Sequence, residues 1–451
     1  MYRWYEMALK VPIYVAFIVV IIVASIVGYI FGSTITKITT TTTVTQIATV
    51  TKTVTVTPAL ATPTYKLSGE VKIGVLLPLS GELASFGAEL KTIIEYAEQE
   101  INNYLEVNGR PWKIKFVIED TAVDPKTHLE KLMALYATGI QIFIGGISSA
   151  ELSEALSYCN DRGILIISPS STSPALSIPD MALRYVPPDQ YQGKAIARIM
   201  WERGFRWIIP MWRGDTWGDG LAQATIETFK EICKNSGESC GVLSGIRYDP
   251  KAKEFSVEVS QLVTLVDDSV KRYGKDKVGI LLISFEEAAA VFAAAKSYPL
   301  LSEVKWQGSD GTANIAPLLD PSVADMVVKV EFLSTMASPG EAPKAEIVRS
   351  VIREKLGRDP MGYTYFTYDI AWTIALALDR VGEYNAVAVK NVLPDVFKDY
   401  VGASGKIALD ENGDRALAYY DIWATAKVDD KYKWSVVGLY NGETDSVKWY
   451  S

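Results

Sequence analysis

Histidine is almost absent from this chain, because His128 is the only one among its 451 residues. A histidine-based catalytic triad therefore has a single candidate, and HExxH or other multi-histidine metal sites are excluded. The segment PKTHLEKLMAL predicts a helix with His128 on its surface. GxSxG, Walker A and GxGxxG motifs are also missing, and Ser302 with Lys305 matches SxxK without its companion motifs. We therefore expect no catalytic residue, no bound metal and no cofactor.

Cysteine is scarce as well, with three residues in the whole chain. Their spacing suits neither a zinc site nor a redox CxxC pair. Cys233 and Cys240 flank the loop-like KNSGES and are placed to close a small disulfide loop, a pairing that the sequence leaves open. Cys159 lies in a predicted helix, where we expect it to be a buried apolar residue.

Clustered positive charge is the third feature that the chain lacks. The formal net charge of −8 is moderate, and no group of Lys and Arg interleaves with aromatic residues. We therefore expect no nucleic-acid partner. Apolar residues make up 49% of the chain, which excludes disorder for most of it.

One long hydrophobic run is present, over residues 11–31, and it contains no charged side chain. Its roughly 20 residues are long enough to cross a hydrocarbon core about 30 Å thick. Arg3 and Lys10 precede the run and favour a cytoplasmic N-terminus. The sequence predicts a single-pass membrane anchor after a cytoplasmic segment 1–10, and a cleaved signal peptide is the alternative.

A threonine-rich stretch, residues 32–66, follows the hydrophobic run and alternates with Val and Ile. Its low complexity predicts an extended stalk, either O-glycosylated or left as an unmodified linker. We expect the rest of the chain to lie on the extracellular side of the cell membrane.

From Leu67 onward, strand-like apolar runs alternate with helical patterns. The first series of strands is VKIGVLL, KIKFVIE, QIFIG and ILIIS, and the second is WIIPMW, VLSGIRY and VGILLIS. This alternation is typical of parallel sheets covered by helices. We predict an α/β protein of two Rossmann-like lobes. A helix over 86–105 should bury one stripe of residues: Phe86, Leu90, Ile93, Ile94, Ala97, Ile101 and Leu105.

Small, hydroxylated or glycine-rich loops follow the strands of the first series: PLSGELASFG, GGISSA and SPSSTSPAL. In open parallel sheets, ligands bind beyond the carboxyl ends of the strands. Hydroxyls and N–H groups at helix N-termini there suit a carboxylate or another small anion. The same residues also cap helices and form turns, so this pattern alone leaves both interpretations open.

These loops resemble those of the leucine/isoleucine/valine-binding proteins, the substrate-binding proteins of branched-chain amino acid ABC importers. The resemblance begins at Val71 and reaches the C-terminal region. Its markers are IGVLLPLSGELASFG, DTAVDPKTHLEKL, IGGISSAELSEAL, GILIISPSSTSPAL, DTWGDGLA and GSDGTAN. It implies the type I periplasmic-binding fold, without the family's first-lobe disulfide, because Ser148 stands where one cysteine would be.

The same resemblance implies a ligand site. Three hydroxylated residues would hold the carboxylate of the ligand: Ser149, Ser170 and Thr172. Asp310 would receive its ammonium group. Three aromatic residues would enclose its side chain: Phe86, Trp217 and Phe285. Phe86 also fits the buried helix stripe, so a core role stays open for it.

Two departures from the family pattern bear on the ligand. Asp310 replaces the more common glutamate, which moves the charge by about 1.5 Å, one carbon–carbon bond. Trp217 replaces a more usual tyrosine, which removes a hydroxyl group and enlarges the apolar wall. The ligand class therefore stays open between a branched-chain amino acid and a similar aliphatic or amide-like solute.

The resemblance further implies a three-segment hinge between the lobes. Lobe 1 would comprise residues 67–188 and 335–401, and lobe 2 would comprise residues 189–334 and 402–451.

We thus expect a monomeric, membrane-anchored extracellular binding protein that delivers an amino acid to the permease subunits of an ABC importer. One alternative is a sensory receptor with the same clamp, which would need a partner helix to signal. Another is a surface hydrolase with Asp120 and Asp310 as acid and base, although no nucleophile–base pair is recognisable.

Overall fold

A computed structural model describes residues 66–340, 342–416 and 418–450. The predicted cytoplasmic segment, the membrane anchor and nearly all of the stalk precede Lys66, outside the described residues, and they stay predictions. Across the described ranges, we find no helix with the length and apolarity that a membrane crossing requires.

The first sheet has five parallel strands in the order β2-β1-β3-β4-β5. Three helices connect the first four strands in a strand–helix alternation. The bounds are β1 (Gly69–Leu77), α1 (Ala84–Val107), β2 (Trp112–Asp120), α2 (Pro125–Ala137), β3 (Ile142–Ile144), α3 (Ser149–Arg162), β4 (Leu165–Ser168) and β5 (Ala182–Arg184).

The second sheet begins with a parallel part, in which β11, β10, β9 and β6 are neighbours and both β7 and β8 pair with β6. Its elements are α4 (Asp189–Glu202), β6 (Trp207–Arg213), α5 (Thr216–Ser236), β7 (Gly241–Val242), β8 (Ile246–Tyr248), α6 (Ser256–Tyr273), β9 (Val278–Ile283), α7 (Ala288–Ala295), β10 (Lys305–Gln307), α8 (Pro321–Lys329) and β11 (Leu333–Ala337).

After β11 the chain forms three helices and two short strands before it returns to the second sheet. The elements are α9 (Ala345–Leu356), α10 (Gly362–Val381), α11 (Ala386–Asp399), β12 (Val401–Gly402) and β13 (Gly405–Lys406). Helix α10 packs against α1 and β3, and α11 packs against β4, so this segment covers the first sheet. The predicted lobe boundaries themselves stay predictions.

Three antiparallel strands complete the second sheet, and these strands were not predicted from the sequence. They are β14 (Tyr419–Val428), β15 (Lys431–Asn441) and β16 (Ser446–Trp449). Short connections allow this arrangement, because antiparallel neighbours need only a tight turn. Asp429 and Asp430 connect β14 to β15 with φ of 48° and 60°, as a two-residue hairpin turn of type I′ requires.

The predicted strand VLSGIRY is interrupted. It forms β7 and β8 on either side of a short loop, and both strands pair with β6. Pro210 lies in β6 between the two pairing regions and has no N–H to donate to a ladder. A Cβ on Gly245 would lie 2.8 Å from the carbonyl oxygen of Pro210, so the loop passes directly over that strand.

The predicted buried stripe of α1 is confirmed, and all seven of its residues belong to one hydrophobic core. Cys159 is buried in α3, and Cys233 and Cys240 form a disulfide with Cα atoms 5.7 Å apart. The surface position predicted for His128 is wrong. Its imidazole is fully buried, where Nε2 accepts a hydrogen bond from the Gly146 N–H, and burial lowers its pKa to about 3.

Candidate functional site

The N-terminus of α3 supplies the first part of the site. Ser148 is its N-cap and forms a capping box with Glu151, whose Oε2 accepts the Ser148 N–H at 2.8 Å. Burial raises the pKa of Glu151. This reciprocal capping fixes the first turn of the helix and thereby places Ser149 at the carboxyl end of the first sheet.

The Ser149 hydroxyl joins this turn to the loop after β4. Its Oγ accepts hydrogen bonds from the N–H groups of Thr172 at 3.2 Å and Ser173 at 3.1 Å. The Ser171 Oγ lies 3.2 Å from it. Because a serine oxygen has two lone pairs, the two N–H groups fill its acceptor capacity, and the Ser149 hydrogen is shared between the Ser171 hydroxyl and any ligand acceptor.

The other two predicted hydroxyls are engaged within the protein. Ser170 Oγ donates to the carbonyl oxygen of Ile147 at 2.8 Å. Thr172 Oγ1 donates to Oδ2 of Asp189 at 3.0 Å. Thr172 therefore holds its loop against the start of α4, while Ser149 and Ser170 line the cavity described below.

Asp310 supplies the acidic part of the site from a 3₁₀ turn, Asp310–Thr312, that follows β10. Its Oδ1 accepts a hydrogen bond from Gln192 Nε2 at 2.9 Å, and its Oδ2 accepts one from the Tyr363 hydroxyl. Burial raises the pKa of Asp310 to about 6. Burial, and then the charge of Asp310, raises the pKa of nearby Asp189 as well.

Aromatic rings form the walls of the candidate site. Trp217, in the first turn of α5, stacks on Phe285 with ring centroids 4.5 Å apart. Phe86, in α1, meets Tyr363 edge to face at 5.9 Å. Gly311 passes between these groups. A Cβ there would lie 2.7 Å from the Phe285 ring, so a larger residue would displace the wall.

One small cavity collects these groups. It is lined by six of the seven residues expected from the sequence: Phe86, Ser149, Ser170, Trp217, Phe285 and Asp310. Its volume is about 10 Å³, the space of roughly one water molecule. An amino acid enters only if the surrounding elements move apart or their side chains turn.

Tyr363 is the residue that sequence reasoning missed. It is buried, lines the cavity and bonds directly to Asp310. It lies on α10, some fifty positions after Asp310 in the chain. The available signal was the run MGYTYFTYDIAW, whose apolar and aromatic residues cover every side of the helix, which indicates burial all round.

Asp120, considered above for a hydrolase, has a structural role instead. Its Oδ1 accepts the N–H groups of Leu79, Ser80 and Ala122 at distances between 2.9 and 3.2 Å, and Oδ2 accepts the Ser80 hydroxyl. These bonds fix two loops, and Asp120 is not among the residues that line the cavity.

The protein has two sheets covered by helices and a cavity lined by hydroxyls, a carboxylate and aromatic rings. This combination defines a ligand-binding protein of the type I periplasmic-binding class. The family described as receptor family ligand binding region matches residues 90–427, and the chain belongs to that family.

Individual relatives agree. An uncharacterized protein of Methanocaldococcus jannaschii is 32% identical over 399 residues, which cover 84% of this chain and 91% of the relative. Leu/Ile/Val-binding protein homolog 1 of Brucella abortus is 24% identical over 373 residues, with coverage of 81% and 93%. The crystal structure of a leucine binding protein from Thermotoga maritima superposes with a TM-score of 0.67 at 20% identity, covering 83% of this chain and 99% of that one.

These likenesses confirm the resemblance expected from the sequence and the type I fold. The chain belongs to a ligand-binding family, and the two relatives with functional names are binding proteins and not enzymes.

Proposed function

We propose that the protein captures an amino acid, branched-chain or a similar aliphatic or amide-like one, and delivers it to the permease of an ABC importer. The observation that carries this proposal is the pairing of Ser149 and Asp310 on one cavity. The Ser149 hydroxyl lies at the positive end of α3, a position that suits an α-carboxylate. Asp310 suits an α-ammonium group.

The aromatic walls suit an uncharged side chain. Phe86, Trp217 and Phe285 are each at most 5% exposed, and burying an aliphatic side chain against them contributes about 1.5 to 3 kcal/mol. The names of relatives point to the same ligand class, because they include leucine, isoleucine and valine.

Delivery, anchoring and monomeric state complete the proposal. The hydrophobic run at 11–31 would hold the binding body on the extracellular face of the cell membrane, and the stalk would let it reach permease subunits. A receptor tethered in this way stays near its permease, and a monomer suits a clamp that closes around one ligand.

Isothermal titration calorimetry tests the binding step. The full-length protein is first dialysed in mild denaturant to remove any retained ligand, and is then titrated with leucine, isoleucine, valine and glutamine. We expect saturable binding to at least one of them. Asp310→Ala should abolish this binding. Ser149→Ala should weaken it about tenfold or more, because one charge-assisted hydrogen bond is lost. Ser302→Ala, on a surface turn outside the cavity, is the matched control. Binding that Asp310→Ala leaves unchanged would refute the assigned ammonium site.

Delivery to a permease needs a separate experiment. Membrane vesicles that contain the candidate permease are supplied with the wild-type protein or with Asp310→Ala, and uptake of labelled leucine is measured. Uptake that depends on the wild-type protein supports the importer function. Binding without any stimulation of uptake would favour a sensory role.

A further inference from the structure

A second cavity adjoins the first at the outer end of the site. Its volume is about 390 Å³, against about 10 Å³ for the first. Ser148 and Phe285 line both cavities, and no other residue in the described part of the chain does. These two side chains therefore form a partition between a narrow inner cavity and a wide outer one.

Phe285 is the larger of these two side chains, and its ring is held by packed neighbours. Trp217 stacks on its ring, and the guanidinium carbon of Arg213 lies 4.3 Å from the ring centroid. Arg213 is itself fixed by ion pairs with Asp215 at 2.5 Å and Glu287 at 2.6 Å. The stacked indole of Trp217 and the guanidinium group of Arg213 therefore restrain the rotation of the Phe285 ring.

The lining of the outer cavity has balanced formal charges, with three acidic side chains and three basic ones: Glu82, Asp124, Asp215, Arg213, Lys251 and Lys253. Glu82 pairs with Lys253 across it, and Arg213 pairs with Asp215. Hydrogen bonds from Thr127 and, to a smaller extent, the charge of Lys251 hold the pKa of Asp124 below its ordinary value. An incoming ion would therefore find no net counter-charge here, whereas an uncharged polar group can exchange hydrogen bonds with these side chains.

The loop of Ala122 and Val123, which lines the outer cavity, is strained. Ala122 and Val123 have φ of 51° and 61°, and such a value is rare for a β-branched residue. The Asp120 bonds described above hold the loop in this form. Strain of this kind persists only where surrounding structure imposes it, and here it places Val123 in the lining of the outer cavity.

We propose that Phe285 limits the length of the ligand side chain, and that the outer cavity receives the uncharged polar end of a longer amino acid once this ring is removed. The inference rests on the proposed function, because it assumes the zwitterion between Ser149 and Asp310. On this assignment, a side chain of leucine length would end before the partition, and the longer side chain of citrulline would reach beyond it.

The experiment measures the dissociation constants of leucine, citrulline and ornithine by calorimetry for the full-length wild-type protein and Phe285→Ala. The ratio of the citrulline constant to the leucine constant is the readout, because it cancels any general weakening of the fold. We expect Phe285→Ala to lower this ratio at least about tenfold, the effect of a pocket change of a few carbon atoms. Ornithine, which carries a charge at the same end, should gain nothing.

Two further variants keep the test decisive. Phe285→Leu shortens the partition with less loss of packing and serves if the alanine variant does not fold. Val123→Ala widens the outer cavity behind an intact partition, so alone it should leave the wild-type ratio unchanged, and combined with Phe285→Leu it should lower the ratio further.

The outcomes separate the two proposals. Leucine binding with the same ratio in wild type and Phe285→Ala would overturn the role of Phe285 and leave the proposed function standing. Equal gains for citrulline and ornithine would overturn the uncharged character assigned to the outer cavity. Failure of the wild type to bind any of leucine, isoleucine, valine and glutamine would overturn the proposed function itself.

Discussion

The hydroxyl of Tyr363 donates a hydrogen bond to Oδ2 of Asp310, and both groups are buried. Tyr363 lies on α10, which packs on the first-sheet side, and Asp310 follows β10 of the second sheet. The bond therefore connects the two sides of the site through the group that we assign to the ligand ammonium. It also makes the ionised form of Asp310 easier to maintain, because it counteracts the effect of burial on the pKa.

Ligand affinity should fall at mildly acidic pH. Burial raises the pKa of Asp310 to about 6, and only its ionised form attracts an ammonium group. At pH 8 the carboxylate is ionised before the ligand arrives, whereas at pH 5 it must first release a proton. We expect the affinity to decrease about tenfold per pH unit below 6. Calorimetry between pH 5 and 8 measures this decrease, and a flat profile would contradict the assignment.

Tyr363→Phe should move this pH dependence upward. Removing the hydroxyl takes away a hydrogen bond to a charged group, worth about 1.5 to 3 kcal/mol, so the pKa of Asp310 rises by roughly one to two units. Affinity at pH 7 should then be reduced, while affinity at pH 9 should approach the wild-type value. Tyr365→Phe, two positions along the same helix, is the matched control. Equal losses for Tyr363→Phe at every pH would instead indicate a purely steric role.

Asp310→Asn should stabilise the protein although it abolishes ligand binding. A carboxyl whose pKa is raised in the folded state favours folding while it is protonated, and this contribution is lost as pH rises through about 6. The neutral amide does not incur that loss. At pH 7.5 we expect a gain of up to about 3 kcal/mol in the free energy of unfolding, and no gain below pH 4. Urea unfolding at both pH values distinguishes this result from a uniform effect.

The ion pair between Arg184 and Asp414 should matter for both stability and the site. Both side chains are buried, and Arg184 Nε and Nη2 donate to Asp414 at 2.6 and 2.5 Å. The same guanidinium donates to the carbonyl oxygens of Ser171 and Ser173, next to Thr172. Asp414→Ala leaves a buried charge unpaired, so we expect a loss of about 3 to 5 kcal/mol in the free energy of unfolding.

The control for this prediction is Arg353→Ala, which removes a surface pair with Asp359 whose side chains are about half exposed. We expect a change below about 1 kcal/mol there. Similar losses in the two variants, measured by urea unfolding, would show that burial of the Arg184 pair is not the decisive factor.

Contacts at the outer end of the site should favour closure without touching the ligand. Lys253 pairs with Glu82, the Glu286 N–H donates to the Glu82 carbonyl oxygen at 3.1 Å, and Ser85 N–H donates to Glu286 Oε1 at 2.8 Å. Burial acts to raise the pKa of Glu82, but the bond with Lys253 helps to hold it below its ordinary value.

Lys253→Ala should therefore weaken ligand binding modestly, by up to about fivefold, because an exposed ion pair contributes no more than about 1 kcal/mol to the closed form. The loss should shrink as salt is added. Lys251→Ala is the matched control. Lys251 also lines the outer cavity, but it forms no ion pair with any of the described residues. A larger loss for Lys251→Ala than for Lys253→Ala, in calorimetry at low salt, would contradict this reading.

The alternation of strands and helices could be predicted from the sequence because it depends on local periodicity. The spacing of apolar residues along the chain predicts the buried stripe of α1 and the parallel strands β1 to β4. This spacing is visible within each segment by itself. The loop residues Ser149, Ser170 and Asp310 were assigned through the family resemblance, and they line one cavity because the carboxyl ends of parallel strands meet at one edge.

Tertiary structure alone decided the rest. The position of His128, the antiparallel strands β14 to β16 and the bond from Tyr363 to Asp310 depend on segments that are distant in the chain. No local pattern shows which partners a hydroxyl has, and so the sequence could not show that Thr172 donates to Asp189 or that Ser149 Oγ accepts the Thr172 N–H. Periodicity determines which face of an element is buried, and packing between distant elements determines which polar atoms meet there.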